Sequence, residues 1–128
     1  MKAKDLMVGD WIELKFYHPD GVDIRHRQLK TIDIYNNIDC EPITLIPRML
    51  TDNGFKPVST AVSATPIYWE YHDGDVQMSL HPNTRTLDKG FFVAIAHGKI
   101  ASYTGIIHYV NELQQALHVC KTNIDINI

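Results

Sequence analysis

A chain of 128 residues with 45% hydrophobic and 21% charged side chains has the balance of an ordinary globular protein, long enough to bury a core without staples. Its net charge of −3 gives no overall attraction to nucleic acid or to an anionic membrane, and no stretch approaches the roughly 20 apolar residues of a membrane span. The two cysteines, Cys40 and Cys120, form no CxxC pair, which argues against a zinc ribbon, a redox motif or a disulfide framework and for reduced thiols in a cytoplasm.

Lys2 to Asp10 reads as a short helical turn anchored by Leu6 and Met7 and closed by Gly9-Asp10, an opening frequent in small SH3-like barrels. Trp11 to Tyr17 alternates, with Ile12, Leu14 and Phe16 on one side and Trp11, Glu13, Lys15 and Tyr17 on the other, so it predicts a strand. His18-Pro19-Asp20-Gly21 is a turn signal. Val22 to Ile34 places Val22, Ile24, Ile32 and Ile34 around a polar centre, which predicts two strands or one bent strand. A polar connection, Tyr35 to Glu41, leads to a short strand at Ile43-Thr44-Leu45, completing a small antiparallel meander.

Pro47 to Asn53 predicts a short helix, with Pro47 at the first position where its missing N–H costs nothing. Gly54 suits the left-handed position after the helix, and Phe55 is placed for the hydrophobic contact of a Schellman cap with Met49 or Leu50. Ile46, at the N-cap, lacks the side-chain acceptor usual there. Lys56 to Pro66 is rich in small and hydroxyl residues and reads as a mobile loop. Ile67 to Tyr71 and Val76 to Leu80 form a hairpin joined by His72-Asp73-Gly74-Asp75, whose Asp-Gly step favours a tight turn, with Ile67, Trp69 and Tyr71 on one face and Val76, Met78 and Leu80 on the matching one. After a polar loop, His81 to Gly90, a second pair follows: Phe91 to Ala96, a turn at His97-Gly98, then Lys99 to Tyr103.

Tyr109 to Cys120 is the clearest helix. Tyr109, Val110, Leu113, Ala116, Leu117 and Cys120 share one stripe, while Asn111, Glu112, Gln114, Gln115 and His118 point away from it. An isolated helix of about a dozen residues is marginal in water, so this stripe must lie on the strands before it. The tail, with Ile124, Ile126 and Ile128 alternating, is expected to add an edge strand or hang free. The prediction is one α+β domain over residues 1–128: an SH3-like barrel or meander, a central helix, two hairpins and a terminal helix packed on the sheet.

Three separated pieces, KAKDLMVGDWI, PITLIPRMLTDNGFK and HYVNELQQAL, resemble in order and spacing a family of small bacteroidete proteins often carried in prophages or mobile elements. The family pattern has a threonine before the central proline and a histidine after the late Tyr-Val, where this chain has Ile46 and Asn111. That family is uncharacterised and has no known activity, so the resemblance implies an order of elements and a genomic context and supplies no catalytic residue.

The residues give no constellation for catalysis and call for no cofactor. Of seven histidines, none sits in an HxH or HExxH motif, and His18, His72, His81 and His97 fall in predicted turns, so they read as surface or turn residues and not as zinc ligands. Asp73-Gly74-Asp75 lacks the further oxygen ligands of a calcium loop, no serine lies in a GxSxG elbow, and the glycines are scattered singly at turns. The one basic cluster is Arg25, Arg27 and Lys30, with Trp11, Lys15 and Tyr17 expected on the neighbouring strand. These six are the candidate binding residues. The expected function is a non-enzymatic module binding another protein or itself, as an accessory of a phage or mobile element; the alternative is a nucleic-acid-binding face of a small barrel, where charge grips phosphate and rings stack on bases.

Overall fold

The computed structural model describes residues 2–59, 66–83 and 89–128. Strands β1 (Trp11–His18), β2 (Gly21–Gln28) and β3 (Glu41–Pro42) form an antiparallel sheet in the order β2-β1-β3. Strands β4 (Lys56–Val58), β5 (Tyr68–Asp73), β6 (Val76–Pro82), β7 (Phe91–His97) and β8 (Ile100–Ile107) form a second, five-stranded antiparallel sheet in sequential order. Helices α1 (Thr31–Tyr35), α2 (Pro47–Asp52) and α3 (Val110–Val119) complete an α+β fold. Among the described residues both sheets are open, so the expected barrel is replaced by two separate sheets.

The second expected strand of Val22–Ile34 is a helix. Ile32 and Ile34 alternate as strand residues do, but both lie in α1, with Ile32 exposed and Ile34 packed on a small core. The deciding residue is Asp33, whose carboxylate accepts the Lys30 N–H at 2.7 Å and thereby closes the first turn. Further on, the strand step falls at Glu41–Pro42, paired to Ile12 and Glu13, while Thr44 makes only an isolated bridge to Tyr109. Around it Leu45 N–H donates to the His108 carbonyl and Val110 N–H to the Ile43 carbonyl, so the segment pins the start of α3.

Helix α2 ends as its sequence demands. Phe55 N–H donates to the Leu50 carbonyl and Gly54 N–H to that of Thr51, with Gly54 at φ +86° and both Phe55 and Leu50 buried: a Schellman cap. Of the loop expected over Lys56–Pro66, the start forms β4 and residues 60–65 lie outside the described residues, as do residues 84–88 of the loop expected at His81–Gly90, whose first two residues end β6.

The five-stranded sheet turns one face inward. Register places Trp69 opposite Leu80 and Tyr71 opposite Met78, then Leu80 opposite Val93, Met78 opposite Ile95 and Phe91 opposite Ile107, so alternate residues build a continuous apolar floor. Helix α3 covers that floor with Val110, Leu113, Ala116, Leu117 and Cys120, all buried, and Phe55, Leu50, Ile43 and Leu45 close its side. A separate core of Ala3, Leu6, Ile12, Leu29 and Cys40 lies on the other sheet.

Two measurements follow from this packing. Leu113, fully buried, should cost about 2 to 5 kcal/mol on Leu113→Ala in a denaturant melt, since the cavity left between α3 and the sheet cannot collapse freely. Ile46 has extended N-cap geometry, no side-chain cap and a side chain 42% exposed, so Ile46→Thr should raise stability by about 0.5 to 2 kcal/mol in the same assay.

Candidate interaction surface

The hairpin β1–β2 leaves four large apolar side chains exposed together, Phe16, Tyr17, Val22 and Ile24. Its register runs unbroken from Trp11 opposite Gln28 to His18 opposite Gly21. At the base Ile12 is fully buried, whereas from Lys15 through Gly21 to Ile24 every residue but the half-exposed Asp23 is exposed. The tip therefore projects by about four residues per strand, roughly 13 Å. Pleating sorts its side chains. One face carries Leu14, Phe16, Asp23, Arg25 and Arg27; the other carries Lys15, Tyr17, Val22, Ile24 and His26. On the second face Tyr17 is 77% and Ile24 54% exposed, and Val22 lies opposite Tyr17.

Pleating separates the six candidate binding residues. Trp11, Lys15 and Tyr17 belong to one face and Arg25 and Arg27 to the other, because cross-strand partners share a face and neighbours along a strand do not. Trp11 is turned into the protein: its indole N–H donates to the Ile126 carbonyl at 2.8 Å, its backbone N–H donates to Gln114 Oε1 at 2.8 Å, and its ring packs on the main core. Arg27 gives two N–H groups to the buried Asp33, at 2.6 and 2.9 Å, and Arg25 pairs with Asp23 at 3.0 Å with its guanidinium 5.2 Å from the Phe16 ring centroid. Lys30 caps α1 through its backbone, and Lys15 and Tyr17 point into solvent.

The polar side of α3 has a different role from the one its pattern suggests. Gln114 Nε2 donates to the Gly9 carbonyl at 2.9 Å, and Gln115 Nε2 donates to Asp10 Oδ2 at 3.1 Å. These amides fasten the helix to the turn that starts β1. Asp10 also accepts the Met7 N–H at 2.9 Å, and burial pushes its carboxyl above the usual range. Asn111, expected to face solvent, is buried, and its Oδ1 has no hydrogen-bond partner.

The tail is neither a strand nor free. Asn53 Nδ2 donates to the Asn127 carbonyl at 2.8 Å and Asn53 Oδ1 accepts the Asn127 N–H at 2.7 Å, an amide clamp that substitutes for a strand partner, while Ile126 is buried. A cleft of about 190 Å³ remains between the tail, α3 and residues 7–10, with Asp10 committed to its own hydrogen bonds.

The four histidines expected in turns lie instead at strand positions: His18 ends β1, His72 lies in β5, His81 in β6 and His97 ends β7. Among the described residues no group of three His, Cys, Asp or Glu side chains is placed to hold a metal ion, and no helix is long and apolar enough to cross a membrane. Cys40 and Cys120 are buried, and burial raises both thiol pKa values. Comparisons with protein-family models, curated proteins and solved structures give no match.

The Arg27–Asp33 pair has a measurable signature. Hydrogen bonds from Arg27 bring the Asp33 pKa from 3.8 to about 2, so the native state binds this proton less readily than the unfolded chain. The stabilisation is present above about pH 4 and is lost as pH falls through 2. Wild type and Asp33→Asn should therefore differ by on the order of 1 to 2 kcal/mol at pH 6 and converge near pH 2 in urea melts.

Proposed function

We propose that the protein is a non-enzymatic interaction module whose β1–β2 hairpin receives a strand of another protein chain. The observation that carries this reading is a projecting hairpin whose outer strand, β2, has no strand on its far edge among the described residues, with an exposed face of Tyr17, Val22 and Ile24. An open strand edge offers a row of backbone donors and acceptors, and apolar side chains at alternate positions supply the contact area that makes strand addition favourable. The unpaired tail expected from the sequence does not contribute, because Asn53 holds it. An accessory role in a phage or mobile element rests on the sequence resemblance alone.

The alternative, a nucleic-acid-binding face on an SH3-like barrel built from Arg25, Arg27 and Lys30, draws less support. Arg27 is committed to Asp33 and Arg25 to Asp23, and the exposed ring of Tyr17 stands on the opposite face. That leaves Lys15 as the one cation of the six on the face of the exposed Tyr17 ring, short of the several phosphate contacts such binding draws on.

A photo-crosslinking residue at Tyr17 should give protein adducts in a lysate, lost on Ile24→Asp, while the same residue at Tyr35, exposed on α1, should give none. Equal adduct yields at the two positions, or none at either, refute the reading.

A further inference from the structure

We infer that the strand received by β2 is the β2 of a second copy, paired antiparallel about a two-fold axis through Ile24. This deepens the interaction-module reading and rests on it. Only Pro19 and Asp20 separate His18 from Gly21, so His18 and Gly21 form the hydrogen-bonded pair next to the turn, and hydrogen-bonded pairs recur at every second residue. Gly21, Asp23, Arg25 and Arg27 thus spend their N–H and C=O groups on β1. Val22, Ile24 and His26 direct theirs outward, at the free edge.

Charge then selects the register. With the axis at Ile24, the Ile24 groups of the two copies bond each other, Val22 bonds the second copy's His26 and the reverse, giving about six backbone hydrogen bonds. On the same geometry Asp23 falls opposite the second copy's Arg25 and Arg25 opposite its Asp23, at non-hydrogen-bonded positions where side chains approach most closely. Each Asp23 and Arg25 already pair within their own strand at 3.0 Å, so the four groups close an alternating square. Neighbouring registers fail. An axis at Asp23 sets Asp23 against its twin, one at Arg25 sets Arg25 against its twin, and one at His26 sets Arg25 against the second copy's Arg27. An axis at Val22 leaves Arg25 beyond the end of the second strand.

On the opposite face the same axis sets Ile24 against Ile24 and Val22 against the second copy's His26, which narrows the exposed apolar face along the edge. The other long edge, β8, offers no such selection. It carries no charged side chain, and the register shift opposite it at Ile95/Ala96 distorts the ladder. The assembled sheet would run β3-β1-β2-β2-β1-β3 across the two copies.

The test is a charge exchange on the full chain, read by sedimentation velocity across a concentration series. Wild type should dimerise, and Asp23→Arg or Arg25→Asp alone should raise the dissociation constant at least about tenfold, since each sets like charges opposite one another. An equimolar mixture of the two variants should recover a dimer, as should the chain carrying both changes, because each restores opposite charges at the same positions. Recovery in the mixture also shows that the single variants are folded. Wild type monomeric at every concentration, or dimers indifferent to both single changes, overturns the inference. A monomeric wild type that still gives Tyr17 adducts with a different protein overturns the second copy and leaves the interaction module standing, whereas loss of both overturns the two together.

Discussion

Everything in this fold depends on α3 being held on both sides. Its apolar stripe lies on the five-stranded sheet, with Val110 and Leu113 fully buried, and its amide side reaches the other sheet through Gln114 and Gln115. The two kinds of contact do different work. Burial of the stripe supplies most of the stabilisation, about 1.5 to 3 kcal/mol for each large side chain removed from water. The amide contacts each add less, about 1 kcal/mol, but they are directional, and they fix where the N-terminal sheet sits relative to the main core. Trp11 completes the junction, since its ring packs on the main core while its strand belongs to the smaller sheet.

The same economy explains the end of the chain. After α3 the backbone passes through Lys121 at φ +55°, with Thr122 N–H donating to the Leu117 carbonyl, and so turns back across the protein. Ile126 enters the core and its carbonyl accepts the Trp11 indole, while Asn53 clamps Asn127. Asn53 thus ties the end of α2 to the tail with two hydrogen bonds that neither segment makes as regular structure. With Ile126 and Asn127 held in this way the end of the tail is occupied by the protein's own groups, and among the described residues the strand edges remain as open backbone.

Periodicity made the large elements legible. The alternation of Trp11–Tyr17, the Asp-Gly hairpin and the stripe through Leu113 and Leu117 all report faces that are buried, and those elements stand where their patterns place them. The Pro47–Phe55 helix and cap were legible for a different reason, because each signal there is local. What failed had two causes. The helix at Thr31–Tyr35 follows from Asp33 meeting Lys30 and Arg27, three and six residues back, a side-chain pairing that the strand-like spacing of Ile32 and Ile34 conceals. Gln114 and Gln115 read as a solvent face because nothing in the helix itself reveals that Gly9 and Asp10 come to meet them. The same logic applies to Trp11. Trp11 looked like a surface aromatic, and its partner, the Ile126 carbonyl, lies 115 residues away in the chain.

The hairpin tip shows the converse. Tyr17, Val22 and Ile24 have the alternation of core residues, yet no part of the described chain covers them. Edge strands ordinarily carry charge to discourage pairing, and β2 does carry it, at Asp23, Arg25 and Arg27. But charge placed on one face of a strand, with apolar residues on the other, does more than discourage. It penalises every register that sets like charges together and permits those that alternate them, so the device that protects an edge from indiscriminate pairing can also specify one partner and one alignment. Arg27 sharpens this further. Its bonds to Asp33 fix the guanidinium near the base of β2, where a strand slipped along the edge would set the Arg25 guanidinium directly opposite it with no carboxylate left to share.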